Sequence, residues 1–324
     1  MDVFLLVLQQ MLMMFLIIAV GYFLAKKKLI PEKTGTAIAK LETYFFVPCL
    51  SFSTQLNRCT PETFRDNGTM ILFGLGIGII AVLIGWPLSR LFIRDPKPGS
   101  PEEYQRNIYW YSLSMSNYGY MGNFIIKGIW GEDGLYRYML FTFFIGILIY
   151  GWGMSILIPK GQNDKSVWDN IKRGLLTPPF IAVTSGILCG LIGLRPYVPE
   201  FVMTAMTNAG NCMGPCAMLL AGIMIGSYSM KDLVTNKKIY LLSFLRLILI
   251  PAVFVTVLKL IGVREDITLF ALIAFCCPLG LNTIVFPAAY GGETRTGASM
   301  TLVSSVLAVI TIPVMYLIFN VLWV

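Results

Sequence analysis

The chain has 324 residues, of which 56% are hydrophobic and only 13% charged, and its mean hydropathy is +0.72. A soluble domain carries about 25% charge, so the composition excludes a soluble globular protein and points to an integral membrane protein. The net charge of +8 raises the idea of nucleic acid as a partner, but the placement of the basic residues, taken up below, argues against it.

A helix needs ~20 apolar residues to cross the hydrocarbon core. Segments at 3–25, 36–56, 68–93, 107–129, 135–158, 176–194, 204–227, 238–262, 267–290 and 296–323 reach that length, which predicts ten helices joined by short loops. The first follows Met1-Asp2-Val3-Phe4, which lacks a basic n-region, and runs into Lys26-Lys27-Lys28, so it reads as a retained anchor. Pro31 stands where the second helix begins, a position proline tolerates. Pro48 falls inside that helix, where it removes a backbone hydrogen bond and predicts a kink. Among the acidic residues only Glu42 comes near an apolar segment. It is placed beside Lys40 at the cytoplasmic end, so no carboxylate relay through the membrane is visible. Ser51, just beyond Pro48, is a candidate for the cavity wall.

Pro96 to Pro101 form a turn-rich linker into the fourth segment. That segment contains Ser116-Asn117-Tyr118-Gly119-Tyr120-Met121-Gly122-Asn123, where two asparagines and two glycines weaken the helix. Lys127 and Trp130 near its outer end read as interface anchors. The polar stretch after the fifth segment is too short to fold alone. The chain therefore divides into a first five-helix unit (1–158), a cytoplasmic linker (159–175) and a second unit (176–324). In the second unit, Pro199 matches Pro31, and Pro215 is a further break, preceded by Asn208 and Asn211. Arg246 lies about nine residues into the eighth segment, ~13 Å along its axis, and an intramembrane arginine is a candidate for function. The ninth segment contains Cys277-Pro278-Leu279-Gly280-Leu281-Asn282-Thr283 and then Pro287, which interrupts the hydrogen-bond ladder again.

Basic residues cluster between alternate segments, with seventeen on one side, seven on the other, and Arg246 within a helix. This is the positive-inside bias, and it predicts a multi-pass protein of the plasma membrane, or of a bacterial inner membrane, with both termini outside the cytoplasm. The seven cysteines form no CxxC pair and read as free thiols. With no histidine, no metal site or cofactor is expected, and no GxxxxGK[ST] sequence offers a nucleotide-driven pump.

The two halves share a plan. Pro31-Glu32, Pro48-Cys49, Asn117 and Gly131 recur in order as Pro199-Glu200, Pro215-Cys216, Asn282 and Gly291, at offsets of 160 to 168 residues. A unit with an odd number of spans that follows itself must enter the membrane upside down. Inverted repeats of this kind place a site at the midplane, on discontinuous helices. The weakened fourth and ninth helices occupy matching positions, and half-helix N-termini near Gly119 and Asn282 would offer free N–H groups to an anion.

These motifs resemble those of the auxin efflux carrier family in its compact prokaryotic form. The resemblance rests on Asn117-Tyr118-Gly119-Tyr120-Met121-Gly122, on Trp130-Gly131-Glu132-Asp133-Gly134 and on Pro278 to Asn282. Gly291-Gly292 after Tyr290, and Val47-Pro48-Cys49-Leu50-Ser51-Phe52, complete it. It covers the whole chain and implies an all-α fold of ten transmembrane helices in two inverted five-helix repeats, with the broken fourth and ninth helices crossing. It also implies transport of small organic anions such as carboxylates, with Asn117 and Asn282 at the crossover. One departure is Phe124, where the family usually has proline, preceded here by Asn123.

The expected function is alternating-access transport of a small organic anion, not catalysis, with the lipid bilayer as surroundings and a homodimer left open. Candidate substrate contacts are Asn117, Gly119, Gly122, Asn123, Pro278, Asn282, Ser51, Asn211 and Arg246. Candidate helix breaks are Pro48, Pro215, Gly119, Gly122, Pro278 and Gly280. The alternatives are a sodium-coupled carrier resembling bile-acid symporters and a membrane sensor that binds without transporting.

Overall fold

The computed structural model describes residues 2–31, 33–159, 167–289 and 291–322. Glu32, Tyr290 and the linker residues Lys160 and Lys165 lie outside them. Every regular element among the described residues is helical, and the one β contact is an isolated bridge. Apolar side chains such as Leu16, Leu72, Leu83, Phe201 and Ile310 stay exposed around the bundle. A hydrocarbon solvent would cover such a surface.

The first part of the chain runs α1 (Asp2–Lys26), α2 (Thr34–Leu41), a π turn (Glu42–Phe46) and α3 (Val47–Arg58). The helix passes through Pro48 without a break, because the π turn immediately before it absorbs the missing N–H. Next come α4 (Pro61–Asn67), capped by Thr60, and α5 (Thr69–Ser89). After a turn, α6 (Pro101–Ser114) stops at Met115, and a π turn (Tyr118–Gly122) leads into α7 (Asn123–Thr142). Gly131 splits α7 into two arms at φ +64°, a left-handed conformation that glycine adopts at no steric cost. The chain continues as α8 (Ile145–Leu148), a π turn (Ile149–Gly153) and α9 (Met154–Leu157).

Part of the expected polar linker is a helix, α10 (Val167–Leu175), with Trp168 exposed and Asn170 buried. It bends by 56° into α11 (Pro178–Leu191). The second part then runs α12 (Glu200–Asn211), α13 (Met213–Gly226), α14 (Met230–Val234), α15 (Lys237–Phe244), a π turn (Leu245–Leu249) and α16 (Ile250–Leu260). It ends with α17 (Glu265–Cys276), α18 (Asn282–Ala289) and α19 (Arg295–Leu317). The interruption before Pro215 falls at Cys212, so proline sits in the first turn of α13, where its lost donor costs nothing.

Among the described residues, five helical stretches are long and apolar enough to cross a membrane: Val3–Lys26, Pro61–Ser89, Glu200–Gly226, Lys237–Leu260 and Arg295–Leu322. Two bent pairs raise the number to seven when each counts as one span. The chain is thus an all-α, multi-pass bundle.

Glycine sets its closest packing. A Cβ on Gly222 would lie 2.0 Å from Ile18 O, and one on Gly21 would lie 2.3 Å from Leu219 O, so α1 and α13 touch backbone to backbone. Gly186 and Gly190 do the same for α11 against α3, where a Cβ on Gly190 would meet Cys59 O at 2.4 Å. Small residues spaced four apart let helices approach closely in lipid, where no hydrophobic force draws them together.

Candidate functional site

The sequence locates two breaks, and the fold brings them into contact. Ser116 and Leu279 form the isolated antiparallel bridge, and Asn117 N–H donates to Pro278 O at 2.8 Å. Each donor and acceptor at this crossing has a reason. Cys277 leaves the helix at ψ 144°, so Ala274 O, in the last turn of α17, has no helical donor; Ser116 Oγ donates to it at 2.5 Å. Leu279 N–H is taken by Ser304 Oγ of α19 at 3.0 Å. Gly280 keeps the two strands close, since a Cβ there would meet Ser116 O at 3.2 Å.

Beyond the crossing each chain re-enters a helix. Asn117, at φ −82° and ψ 43°, caps the first half-helix, and Met121 and Gly122 are the first donors back to its carbonyl. The N–H groups of Tyr118, Gly119 and Tyr120 therefore form the open first turn, at the positive end of the helix dipole. Phe124, where the resemblance leads one to expect proline, packs its ring against Gly214 of α13; the break is made upstream, at 115–117, without it.

A cavity of about 140 Å³ opens beside the crossing. In this measure one water needs about 10–15 Å³, so the space holds several waters or one small organic molecule. Of the expected contacts, Asn117, Gly119, Asn123, Asn282 and Ser51 line it. Asn117 and Asn123 are 4% and 7% exposed, and Asn123 Oδ1 has no hydrogen-bond partner. Asn282 donates from Nδ2 to Tyr111 Oη at 3.0 Å, and Tyr111 in turn stacks near Trp152. Thr142 and Thr177 add hydroxyls, and Tyr118, Tyr120 and Tyr150 add aromatic walls. Among the described residues no charged side chain lines the cavity.

The remaining candidates lie elsewhere. Pro278 takes part through its carbonyl at the crossing rather than in the cavity wall. Gly122 faces Tyr138, whose hydroxyl a Cβ would meet at 2.3 Å; that hydroxyl donates to Tyr118 O. Gly119 and Gly122 belong to the π turn after the break and do not make the break themselves. Asn211 is exposed and accepts from Lys127 Nζ at 2.7 Å, while Lys127 also pairs with Glu132 at 2.8 Å. Lys127, expected to be an interface anchor, therefore ties α7 to the end of α12. Arg246 is 1% exposed and lies behind the crossing, in a smaller cavity that shares Ser116 and Tyr118 with the first. Its guanidinium stacks over Phe275 at 4.8 Å, and Nε and Nη1 have no partner.

Three features were not read from the sequence. Glu42, placed there at the cytoplasmic end, is fully buried. A third, polar cavity of about 340 Å³ is lined by Thr54, Asn57, Arg58, Lys127 and Glu132 among others. Between it and the crossover cavity stands a small apolar cluster of Leu50, Leu135, Met139 and Met213: Met139 faces the crossover cavity and Leu50 the polar one. Their spacing in the sequence is too long-range to have suggested the cluster.

Comparison with known proteins agrees with this architecture. A family model described as "Membrane transport protein" matches residues 6–316. An uncharacterized transporter of Methanocaldococcus jannaschii is 24% identical over 320 residues, covering 96% of both chains. Another from Methanothermobacter thermautotrophicus is 21% identical over 243 residues, 75% of each chain. One from Schizosaccharomyces pombe is 34% identical over 77 residues, 24% of this chain and 17% of its own. A match across nearly the whole length, on a multi-pass bundle with a polar cavity at its broken helices, settles the class: the chain belongs to the membrane transport protein family of auxin efflux carriers, and it is a transporter rather than an enzyme.

Proposed function

We propose that this transporter carries small organic anions, carboxylates above all, by alternating access. The observation that carries the reading is the crossover itself. Three amides and the open first turn of a half-helix face an uncharged cavity, and an anion there would meet donors and positive dipole ends without a competing carboxylate. Asn117, Asn123 and Asn282 would hold the carboxylate, with Ser51 and Thr142 on the flanks. Arg246 would raise the local potential from behind, as an unneutralised cation one residue layer away.

The fold is read as ten spans in two inverted five-helix repeats. Supporting this, the glycine-packed pair α1–α13 and the glycine-packed pair α11–α3 exchange places when the chain is shifted by half its length. These helices would form the scaffold, and the segments around the two breaks would form the moving unit. Thr177, Pro179 and Phe180, just after the basic linker, line the crossover cavity, which suits an inward-facing state. The cluster of Leu50, Leu135, Met139 and Met213 would be the closed outer gate, with Arg58–Asp133 at 3.0 Å and Lys127–Asn211 as outer latches.

The test is flux in proteoliposomes against a panel of carboxylates, amines and neutral sugars, with and without sodium. Saturable carboxylate flux independent of sodium supports the reading. Flux confined to amines or sugars contradicts the anion site, and flux that requires sodium would favour the symporter resembling bile-acid carriers.

A further inference from the structure

Glu42 and Arg246 are the charged side chains buried below a tenth of their surface among the described residues. Both carboxyl oxygens of Glu42 lack a hydrogen-bond partner. The π turn explains where this side chain stands. Val47 N–H bonds to Glu42 O, a step of five residues, so Glu42 stacks in register with Val47 and, one α turn later, with Ser51. Val47 and Ser51 both line the crossover cavity, so Glu42 continues the same stripe just beyond its wall.

Tyr120, which lines the cavity, and Cys216 of α13 are within electrostatic range of the carboxyl. The elements packed around the turn are α2, α3, α11, α12 and α13. On them, Lys40 and Glu200 are exposed, Arg58 closes the far end of α3 in its pair with Asp133, and Cys49 and Cys189 are free thiols. None of these hydrogen-bonds or ion-pairs with Glu42.

We propose that Glu42 is a proton-binding site linked to the anion site, so that one proton and one carboxylate cross together. An unpaired carboxylate in apolar surroundings is costly, and the neutral acid is the form such a pocket accepts. An anion in the neighbouring cavity adds a second negative charge and disfavours ionisation of Glu42 further. Linkage is reciprocal, so the bound proton favours the anion by the same factor. The proton is taken up at a Glu42 carboxyl oxygen from the side to which the cavity is open and released on the other. For a monocarboxylate the pair carries no net charge, and a pH gradient drives it. The proposal rests on the carboxylate reading for its cargo, though not for the proton site.

The experiment has two arms. Infrared difference spectra of the substrate-free protein in nanodiscs, recorded across a pH series, should contain a protonated-carboxyl band that Glu42→Gln removes. In proteoliposomes, with pyruvate as probe and protein-free liposomes as blank, an imposed pH gradient should make the wild type accumulate pyruvate. Glu42→Gln, which keeps the shape of the neutral acid, should lose accumulation and retain pyruvate counterflow. An unchanged spectrum in Glu42→Gln, or accumulation equal to wild type, overturns the proposal. If the band behaves as expected but the wild type moves no pyruvate, the carboxylate reading suffers and the proton site stands.

Discussion

Ser116 offers the sharpest perturbation of the crossover. Its hydroxyl donates to Ala274 O, a carbonyl in the last turn of α17 that has no helical donor because the chain leaves the helix at Cys277. Ser116→Ala leaves that carbonyl unsatisfied. The penalty for a buried orphan is about 1–3 kcal/mol, while side-chain hydrogen bonds within membranes average about 0.6 and reach about 1.7 kcal/mol. A loss of about 1–1.7 kcal/mol is therefore expected, roughly a five- to eighteen-fold shift in the unfolding equilibrium. The assay is equilibrium unfolding in mixed micelles, followed by tryptophan fluorescence. An unfolding midpoint in Ser116→Ala equal to wild type would refute the reasoning, since the carbonyl would then not depend on the hydroxyl.

Gly222→Ala and Gly190→Ala place a methyl against backbone carbonyls at 2.0 and 2.4 Å, whereas Gly119→Ala meets nothing within 4 Å. The first two should lose about 1–3 kcal/mol from overpacking, and the third should be neutral in thermal stability while altering flux from inside the cavity. Equal melting temperatures for all three would contradict the close packing. Arg246→Met should leave stability unchanged or improved, because it removes the cost of holding a charge away from water with Nε and Nη1 unpartnered. Anion affinity should fall at the same time; unaltered affinity in a stable variant would remove Arg246 from the account.

Much of this was legible in the chain itself. Pro278 and Gly280 mark a break that the structure places at 277–281, and the asparagine–glycine run from Asn117 places the other within two residues. The helical, multi-pass character follows from composition alone. Chain order hid what depends on register. Pro48 reads as a kink until the π turn before it is seen to absorb the missing donor. Glu42 opens that same turn and is fully buried, which hydropathy does not record. Asn211 and Arg246 look like partners of the broken helices by depth, but one accepts from Lys127 on the surface and the other lies behind the crossing. The apolar cluster at Leu50 and Met213 joins residues far apart in sequence, and no local pattern announces it.

The central claim is that amides at the two unwound segments bind the cargo. The most direct measurement is carboxylate flux by Asn117→Ala plus Asn282→Ala in proteoliposomes, alongside a thermal unfolding curve to establish that the variant folds. The account expects a folded protein whose carboxylate flux falls to the level of empty liposomes. Wild-type flux from that double variant would contradict it.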